Sequence, residues 1–156
     1  MTADLGPVTA IHWNVYANAA GDVMTADAAA LRTVFDVAVT SLILTVRAAL
    51  ADLKAAQGAV LVTNGGFGLF DPQIDAMAVQ SNSMGLAIAN AAKHKLMGLL
   101  SEKLRADGIT VGEVMILGLV KGTMWDTGNA TIEARTIAGH FWEIYSKHES
   151  KVVTVS

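Results

Sequence analysis

Short apolar runs rich in β-branched residues alternate with longer stretches of helical periodicity along this chain, and the alternation limits the folds open to it. The runs that predict strands are residues 8–15, 59–63, 109–117 and 151–155. The stretches that predict helices are residues 27–56, 83–106 and 131–147. Strands that alternate with helices form a parallel sheet with helices on both faces. We therefore predict a single α/β domain over residues 1–156, with four parallel strands in sequential order.

Turn and capping residues mark the boundaries of these elements. Thr25 is a suitable N-cap for the first long helix, and Asp27 places negative charge in its first turn. Gly58 and Gly108 close the two long helices. Between the second strand and the second long helix we predict a loop that contains Asp71 and Pro72, and an irregular segment over 118–129 precedes the third helix.

The chain is more apolar than most soluble proteins. Hydrophobic residues make up 53% and charged residues 16% of it, against roughly 45–50% and about 25% in an average protein. The mean hydropathy is +0.44. A chain of this kind buries much of its surface, either inside the fold or against a partner.

Composition also excludes several classes of function. The net charge is −3 with scattered Lys and Arg, so nucleic acid is not an expected partner. No apolar run reaches the roughly 18 residues that span a bilayer, and residues 1–4 lack the features of a signal peptide. There is no cysteine, which excludes disulfides, and the four histidines have no metal-ligand spacing. We expect a cytoplasmic protein without a metal site, in which His94 and Lys95 lie on a solvated helix edge.

In parallel α/β sheets, ligands bind beyond the carboxyl ends of the strands, so the residues after each strand are the most informative. Residues 18–21 (NAAG) follow the first predicted strand, and residues 64–68 (NGGFG) follow the second. Residues 89–93 (ANAAK) lie in the second long helix, and residues 117–123 (LGLVKGT) follow the third strand. In order and position they are similar to the Asn-Asn-Ala-Gly, Ser-Ser-x-x-Gly, Tyr-x-x-x-Lys and Pro-Gly-x-Val-x-Thr motifs of one family. The chain resembles the C-terminal two-thirds of a short-chain dehydrogenase/reductase, whose fold is a Rossmann-like parallel sheet.

The resemblance implies an oxidoreductase that uses NAD or NADP, and it assigns roles by position. Lys93 is the one catalytic residue retained, and it would also hold the cofactor ribose. The other positions assigned to the cofactor are Asn18, Gly21, Gly118, Val120 and Thr123. The positions assigned to the substrate crevice are Tyr16, Asn64, Gly65 and Trp125.

Three catalytic positions of the family hold residues that lack the required group. The family's Asn falls on Ala38, its Ser on Gly65 and its Tyr on Ala89. Ala89 cannot transfer a proton, whereas the backbone N–H of Gly65 could still bind an oxyanion. Gly65 and Ala89 are 24 positions apart, more than is usual in the family, so the loop over 70–83 is enlarged and could refill the site.

The resemblance begins at the fourth strand of the family. No Gly-rich strand–turn–helix precedes residue 8 in this sequence, so we expect these residues to lack the N-terminal βαβ nucleotide-binding half of the family. We therefore expect no tight binding of NAD or NADP by this chain alone. The first hypothesis is a fragment or split oxidoreductase that works beside a partner with the missing half. The others are a cofactor-independent binding protein, and a non-redox isomerase or cyclase that uses Lys93, Tyr16 or Asn64.

The resemblance also implies self-association. The two long helices correspond to those that form the family's dimer interface. We predict that apolar residues lie on the outer faces of both helices. These are Leu42, Leu44, Ala48, Leu96, Leu99 and Leu100. We expect a homo-oligomer through these helices, with the edge of the strand over 8–15 paired or covered.

Overall fold

The computed structural model describes residues 6–156, so the N-terminal residues used for the signal-peptide prediction lie outside the described part. Four strands form one parallel sheet in the order in which they occur in the chain. They are β1 (Ala10–Trp13), β2 (Ala59–Gly65), β3 (Thr110–Ile116) and β4 (Val152–Val155). The predicted α/β class and strand order are confirmed, although β1 is shorter than the predicted strand over 8–15.

The region predicted as the first long helix forms three shorter helices. They are α1 (Ala28–Phe35), α2 (Ser41–Ala48) and α3 (Leu50–Ala56), and a π-helical turn, Asp36–Thr40, joins α1 to α2. The N-cap is Asp27, whose carboxylate accepts a hydrogen bond from the N–H of Ala30 at 2.7 Å, and the predicted cap at Thr25 is wrong.

The π-turn keeps one face of this helix buried. Val34, Ala38, Leu42 and Val46 are all buried and lie four residues apart. In a regular α-helix such a repeat drifts around the axis by about 40° per step. A wider turn between α1 and α2 offsets part of this drift, because it takes up one extra residue.

Within residues 6–156, one helical segment, 28–48, is long and apolar enough to cross a membrane by length and composition alone. The sequence analysis had expected none. Leu42 and Val46 of this segment belong to the core against the sheet, which is also how a core helix of a soluble protein packs. Leu42 is fully buried, so its assignment to an outer face is wrong.

A helix that the sequence analysis treated as loop, α4 (Pro72–Gln80), precedes the second long helix. Asp71 is its N-cap and accepts hydrogen bonds from two backbone N–H groups, and Pro72 occupies the first turn, where its missing N–H costs nothing. The long helix that follows, α5 (Met84–Leu104), is continuous over 21 residues. The enlarged loop is therefore an ordered element, with Ala78 buried.

Helices cover both faces of the sheet. Val60 and Val62 of β2 pack with α2, α3 and α5 in one core cluster, whereas Ala59 and Leu61 belong to the cluster that includes the last helix. This last helix is α6 (Ala134–Lys147), which begins three residues later than predicted. The result is a three-layer α/β arrangement, and α5 lies over the strands that carry the candidate site.

Candidate functional site

Polar side chains meet in a buried cluster where β2 and β3 pack beneath α5. Asn64, Asn90, Lys93 and Glu113 are each at most 4% exposed. Burial of such groups is unfavourable unless they are paired, especially for the two that carry charge. Their partners therefore show what holds the cluster together.

Glu113 is the centre of this network. Its Oε1 accepts a hydrogen bond from Asn64 Nδ2 at 2.6 Å, and its Oε2 lies 2.6 Å from His94 Nδ1. Asn64 Nδ2 also donates to the backbone carbonyl of Asn90 at 3.0 Å, and Asn64 Oδ1 accepts the N–H of Gly65 at 3.0 Å. The three partners of Asn64 fix the orientation of its amide, since two are acceptors and one is a donor.

Lys93 differs from its neighbours because its ammonium group has no partner. It is 2% exposed, and no hydrogen bond or ion pair joins it to another residue between 6 and 156. Burial lowers the pKa of Lys93 to about 8, and the negative charge of Glu113 acts in the opposite direction. The three N–H donors of this ammonium group therefore have no acceptor among the described residues.

Two of the replaced catalytic positions lie together. Ala38 of the π-turn and Ala89 of α5 form a small buried cluster with Val34. Partly buried Ala17 and Ala19 pack against this cluster. Apolar groups therefore surround the two positions that the sequence resemblance assigned to the family's Asn and Tyr.

Gly65, the third replaced position, contacts Asn90. A Cβ atom at Gly65 would lie 2.8 Å from Asn90 Nδ2, so a larger residue would displace that side chain. The backbone N–H of Gly65 already donates to Asn64 Oδ1. The predicted use of this N–H for an oxyanion therefore requires Asn64 to give up that bond.

The segment 18–21 packs against the start of α5. The N–H groups of Met84 and Gly85 donate to the carbonyls of Gly21 and Ala20, both at 2.9 Å. A Cβ atom at Gly21 would lie 2.4 Å from Asn82 Nδ2. Gly21 thus makes close protein contacts, while Asn18 is exposed, and the cofactor contacts assigned to both stay predictions.

The loops after β1 and β3 meet at two of the predicted crevice residues. Trp125 Nε1 donates to the hydroxyl of Tyr16 at 3.2 Å, and this hydroxyl lies 3.9 Å from Met124 Sδ. Asn64 and Gly65, the other two predicted crevice residues, lie at the end of β2 in the polar cluster. The contacts therefore form two groups, Tyr16 with Trp125 and Asn64 with Gly65.

Internal hydrogen bonds order the loop after β3. The carboxylate of Asp126 accepts the N–H groups of Gly122 and Gly128, each at 2.9 Å, and these bonds lower the pKa of Asp126. Thr123 donates its hydroxyl hydrogen to the carbonyl of Val120 at 2.8 Å. The predicted cofactor positions Gly118, Val120 and Thr123 all lie in or next to this loop.

Glu113 and its contact with His94 were not predicted from the sequence. A charged residue inside an otherwise apolar strand (TVGEVMI) was the available signal for Glu113. His94 was assigned to a solvated helix edge, yet its ring contacts the buried carboxylate and its side chain is only 38% exposed. The two partners of Glu113, Asn64 and His94, are 49 and 19 residues away in sequence, so no local sequence pattern could predict this network.

Comparison with solved structures places this sheet and its helices in a known class. The chain has the fold of the short-chain dehydrogenases/reductases. It is similar to such a protein of unknown function from Caenorhabditis elegans, solved with cofactor (TM-score 0.77, 14% identity, 98% of this chain and 66% of that one).

Two further structures are equally similar. One is an NADPH-bound short chain oxidoreductase from Pseudomonas aeruginosa PAO1 with an atypical catalytic center (TM-score 0.78, 16% identity, 99% of this chain and 66% of that one). The other is a blue fluorescent protein from a metagenomic library in complex with NADPH (TM-score 0.78, 19% identity, the same coverage). The chain thus spans about two thirds of the length of these structures. No family model and no curated protein matches it.

Proposed function

We propose that this chain is a degenerate relative of the NAD(P)-dependent short-chain oxidoreductases that retains the ribose-binding lysine and has little redox activity alone. The observation that carries the proposal is Lys93, which is 2% exposed and whose ammonium group has no ion-pair partner among residues 6–156. A lysine in this position is unfavourable for stability unless a ligand accepts its hydrogen bonds. The cofactor supplies hydride chemistry when bound, and Lys93 binds and orients its ribose.

The loss of redox activity follows from the methyl cluster. Ala38 and Ala89 offer no group that could give or take a proton, and they are packed against Val34 without a polar neighbour in that cluster. Gly65 has no hydroxyl, and its N–H is engaged by Asn64. The remaining residues can bind and position a ligand, but they do not replace the missing proton donor.

We also propose that the nucleotide-binding half comes from outside residues 6–156, as a partner or as further polypeptide. β1 lies at an edge of the sheet and pairs only with β2 among the described strands. Nearby, the indole Nε1 of Trp13 is buried without a hydrogen-bond partner. An added strand and its following helix would cover this edge, which natural proteins seldom leave open.

The test compares NAD with nicotinamide mononucleotide, which has the nicotinamide ribose but no adenosine half. Because the chain supplies only the ribose side, we expect both to bind weakly and equally, with dissociation constants of about 1 mM, or roughly −4 kcal/mol. Lys93→Met should remove the binding of both. Isothermal titration or NMR titration gives the constants.

The matched control is Lys95→Met, which changes an exposed lysine on the same helix. It should leave the binding of both nucleotides unchanged. A dissociation constant for NAD near about 1 μM, or unchanged binding in Lys93→Met, would contradict the proposal.

A second candidate is a cofactor-independent binding protein or a non-redox enzyme, such as an isomerase or cyclase. The hydrogen bond between Trp125 and Tyr16 favours it, because it joins the loops after β1 and β3 through residues of the chain itself. Trp125 fluorescence offers a direct readout. A small carbonyl compound that changes it, with no effect of nicotinamide mononucleotide, would favour the second candidate.

We further propose self-association through the outer faces of α2 and α5. Leu44 and Leu99 are 53% and 58% exposed, and Ala48 is also exposed. Leu96 and Leu100 instead pack against the core, so they are less suitable as interface residues than the sequence analysis assumed. Exposed leucines on two neighbouring helices are suited to a symmetric helix-on-helix contact.

A further inference from the structure

The side-chain nitrogen of Lys93 lies close to a carboxylate that does not bind it. The negative charge of Glu113 acts on Lys93, yet the pair does not form an ion pair. Both oxygens of this carboxylate are already engaged, one by Asn64 Nδ2 and the other by His94 Nδ1, each at 2.6 Å. No contact within the described part of the chain therefore fixes the ammonium form of Lys93.

The nitrogen of Lys93 also keeps a narrow route to solvent. Within the described residues, Trp13 Nε1 is the one fully enclosed side-chain nitrogen or oxygen that lacks a hydrogen bond. Because Lys93 Nζ lacks one as well, it retains part of the small exposure of its residue. A small molecule can therefore reach this nitrogen, whereas the surrounding protein excludes a bulky one.

Burial makes the nitrogen of Lys93 a better nucleophile than that of an exposed lysine. It lowers the pKa of Lys93 to about 8, from the ordinary value of 10.5. Near pH 7 roughly one molecule in ten then carries the neutral amine, about 300 times the fraction for an unperturbed lysine. The neutral amine is the form that attacks a carbonyl carbon.

Apolar groups lie one helical turn before Lys93. Ala89 is on the same face of α5, and it packs with Val34 and Ala38. Because long side chains of a helix incline towards its N-terminus, the Lys93 side chain extends towards Ala89. A partner that complements both features has one carbonyl group and a short apolar chain.

We infer that Lys93 is a covalent binding site for small aliphatic aldehydes, which it captures reversibly as an imine. The neutral amine attacks the carbonyl carbon, the C=O electron pair moves to oxygen, and one proton passes from nitrogen to that oxygen. In the resulting carbinolamine the C–O bond breaks, and the hydroxyl group leaves as water with a proton taken from solvent. The nitrogen lone pair then forms the C=N bond of a protonated imine.

The reaction needs no further reagent and no nicotinamide cofactor. Amine, aldehyde and one proton give a protonated imine and water, so nothing is oxidised or reduced. The positive charge of the product is favoured by the negative charge of Glu113, as it is for the ammonium form. The proposed ribose contact uses the N–H donors of Lys93 and the imine uses its lone pair, so a nucleotide and an aldehyde compete for one nitrogen.

The test exposes the folded chain to a limiting amount of propanal and sodium cyanoborohydride near neutral pH. Hydride from the borohydride adds to the imine carbon and converts the reversible imine into a stable secondary amine, which peptide mass spectrometry locates. Lys93 should be labelled at least about tenfold faster than exposed Lys95, because its larger fraction of neutral amine outweighs its reduced access. Without the reductant no label should remain.

Two variants and one change of conditions are the controls. Lys93→Met should remove the fast label, and the matched variant Lys95→Met should keep it. In urea, where the chain is unfolded, Lys93 and Lys95 should be labelled at equal rates, because the burial that lowers the pKa of Lys93 is lost. This comparison within the wild type keeps the test valid if Lys93→Met alters the fold.

Several results would overturn the inference. Labelling of the exposed lysines ahead of Lys93 would do so, and so would the same ratio of the two labels in the folded and the unfolded chain. Nicotinamide mononucleotide binding that depends on Lys93, without a propanal label on it, would overturn the imine and leave the proposed ribose contact in place. A fast Lys93 label in a chain that binds no nucleotide would support the imine and contradict the ribose contact.

Discussion

Helix α5 makes two neighbouring buried contacts, one of them apolar and the other polar. At Ala89, the helix meets Ala38 and Val34 through methyl groups alone. The next residue, Asn90, and Lys93 one turn later lie among buried polar groups that include Asn64 and Glu113. The first contact gains stability from packing, whereas the second is held by the hydrogen bonds of Asn64, to which Lys93 adds none. The polar contact is therefore where a functional explanation is required, because packing alone would favour apolar residues there.

The largest effect that tests this comparison is expected at Glu113. Glu113→Ala removes the partner of Asn64 and His94 and leaves a cavity, so we expect the free energy of unfolding to fall by about 3–5 kcal/mol. Urea denaturation measures it. Glu102→Ala, which breaks only an exposed pair with Arg105, should cost less than about 1 kcal/mol. Equal losses in the two variants would show that the polar cluster contributes no more than a surface ion pair.

The pH dependence of Lys93 tests the same cluster. The pKa of Lys93 in the folded chain, about 8, lies below the ordinary lysine value of 10.5. Between these two pH values the unfolded chain binds more protons than the folded chain. The contribution of Lys93 to the free energy of unfolding therefore becomes more favourable as pH rises from about 8 towards 10.5. Relative to Lys93→Met, the wild type should gain up to about 3 kcal/mol over this interval. A difference between the two proteins that is independent of pH would contradict the burial of a charged ammonium, and Lys103→Met serves as the control.

The apolar contact can be tested by restoring the family's tyrosine. Ala89 is 3% exposed, so Ala89→Tyr overfills the methyl cluster and should destabilise the fold by about 1–3 kcal/mol. It should produce no reductase activity with NADH or NADPH, because Gly65 and Ala38 still lack the other groups. Thermal unfolding and a reductase assay measure the two outcomes. Activity in this single variant would show that the site is closer to a working enzyme than its contacts indicate.

The smallest effect on stability is expected at the outer face of α5. Leu99 is exposed, so Leu99→Asp should change the free energy of unfolding by less than about 0.5 kcal/mol while it weakens self-association. Leu96 packs against the core, so Leu96→Asp should destabilise the monomer instead. Sedimentation at micromolar concentration together with urea denaturation distinguishes the two. A wild-type chain that sediments as a monomer would remove the proposed interface.

Local sequence patterns were sufficient for the sheet but not for the cluster inside it. β2 and β3 could be predicted because runs such as AVLVT between glycines are typical of strands buried on both faces. The helix α4 was missed although Asp71 and Pro72 form a standard N-terminal signal, because its apolar periodicity is weak. Glu113 could not be placed, since Asn64 and His94 lie 49 and 19 residues from it in the chain.

The resemblance to a family directed attention to Lys93 and away from its neighbour. His94 follows Lys93 directly, and a sequence motif that ends at the lysine gives no reason to consider the next residue. Its contact depends on the helical rotation of about 100° per residue, which turns His94 towards Glu113.

The π-turn at Asp36–Thr40 also affects where the chain can lose or gain a single residue. Such a turn corresponds to one residue inserted into an α-helix, and the flanking turns keep their relative rotation. Loss of the codon for exposed Asp36 would therefore leave Val34 and Leu42 on one face, now seven residues apart. The same deletion at Lys95, within the continuous α5, would rotate everything after it by about 100°. Single-residue length changes should therefore be tolerated at the π-turn and rejected in the long helix, and a deletion scan read by soluble expression would record that contrast.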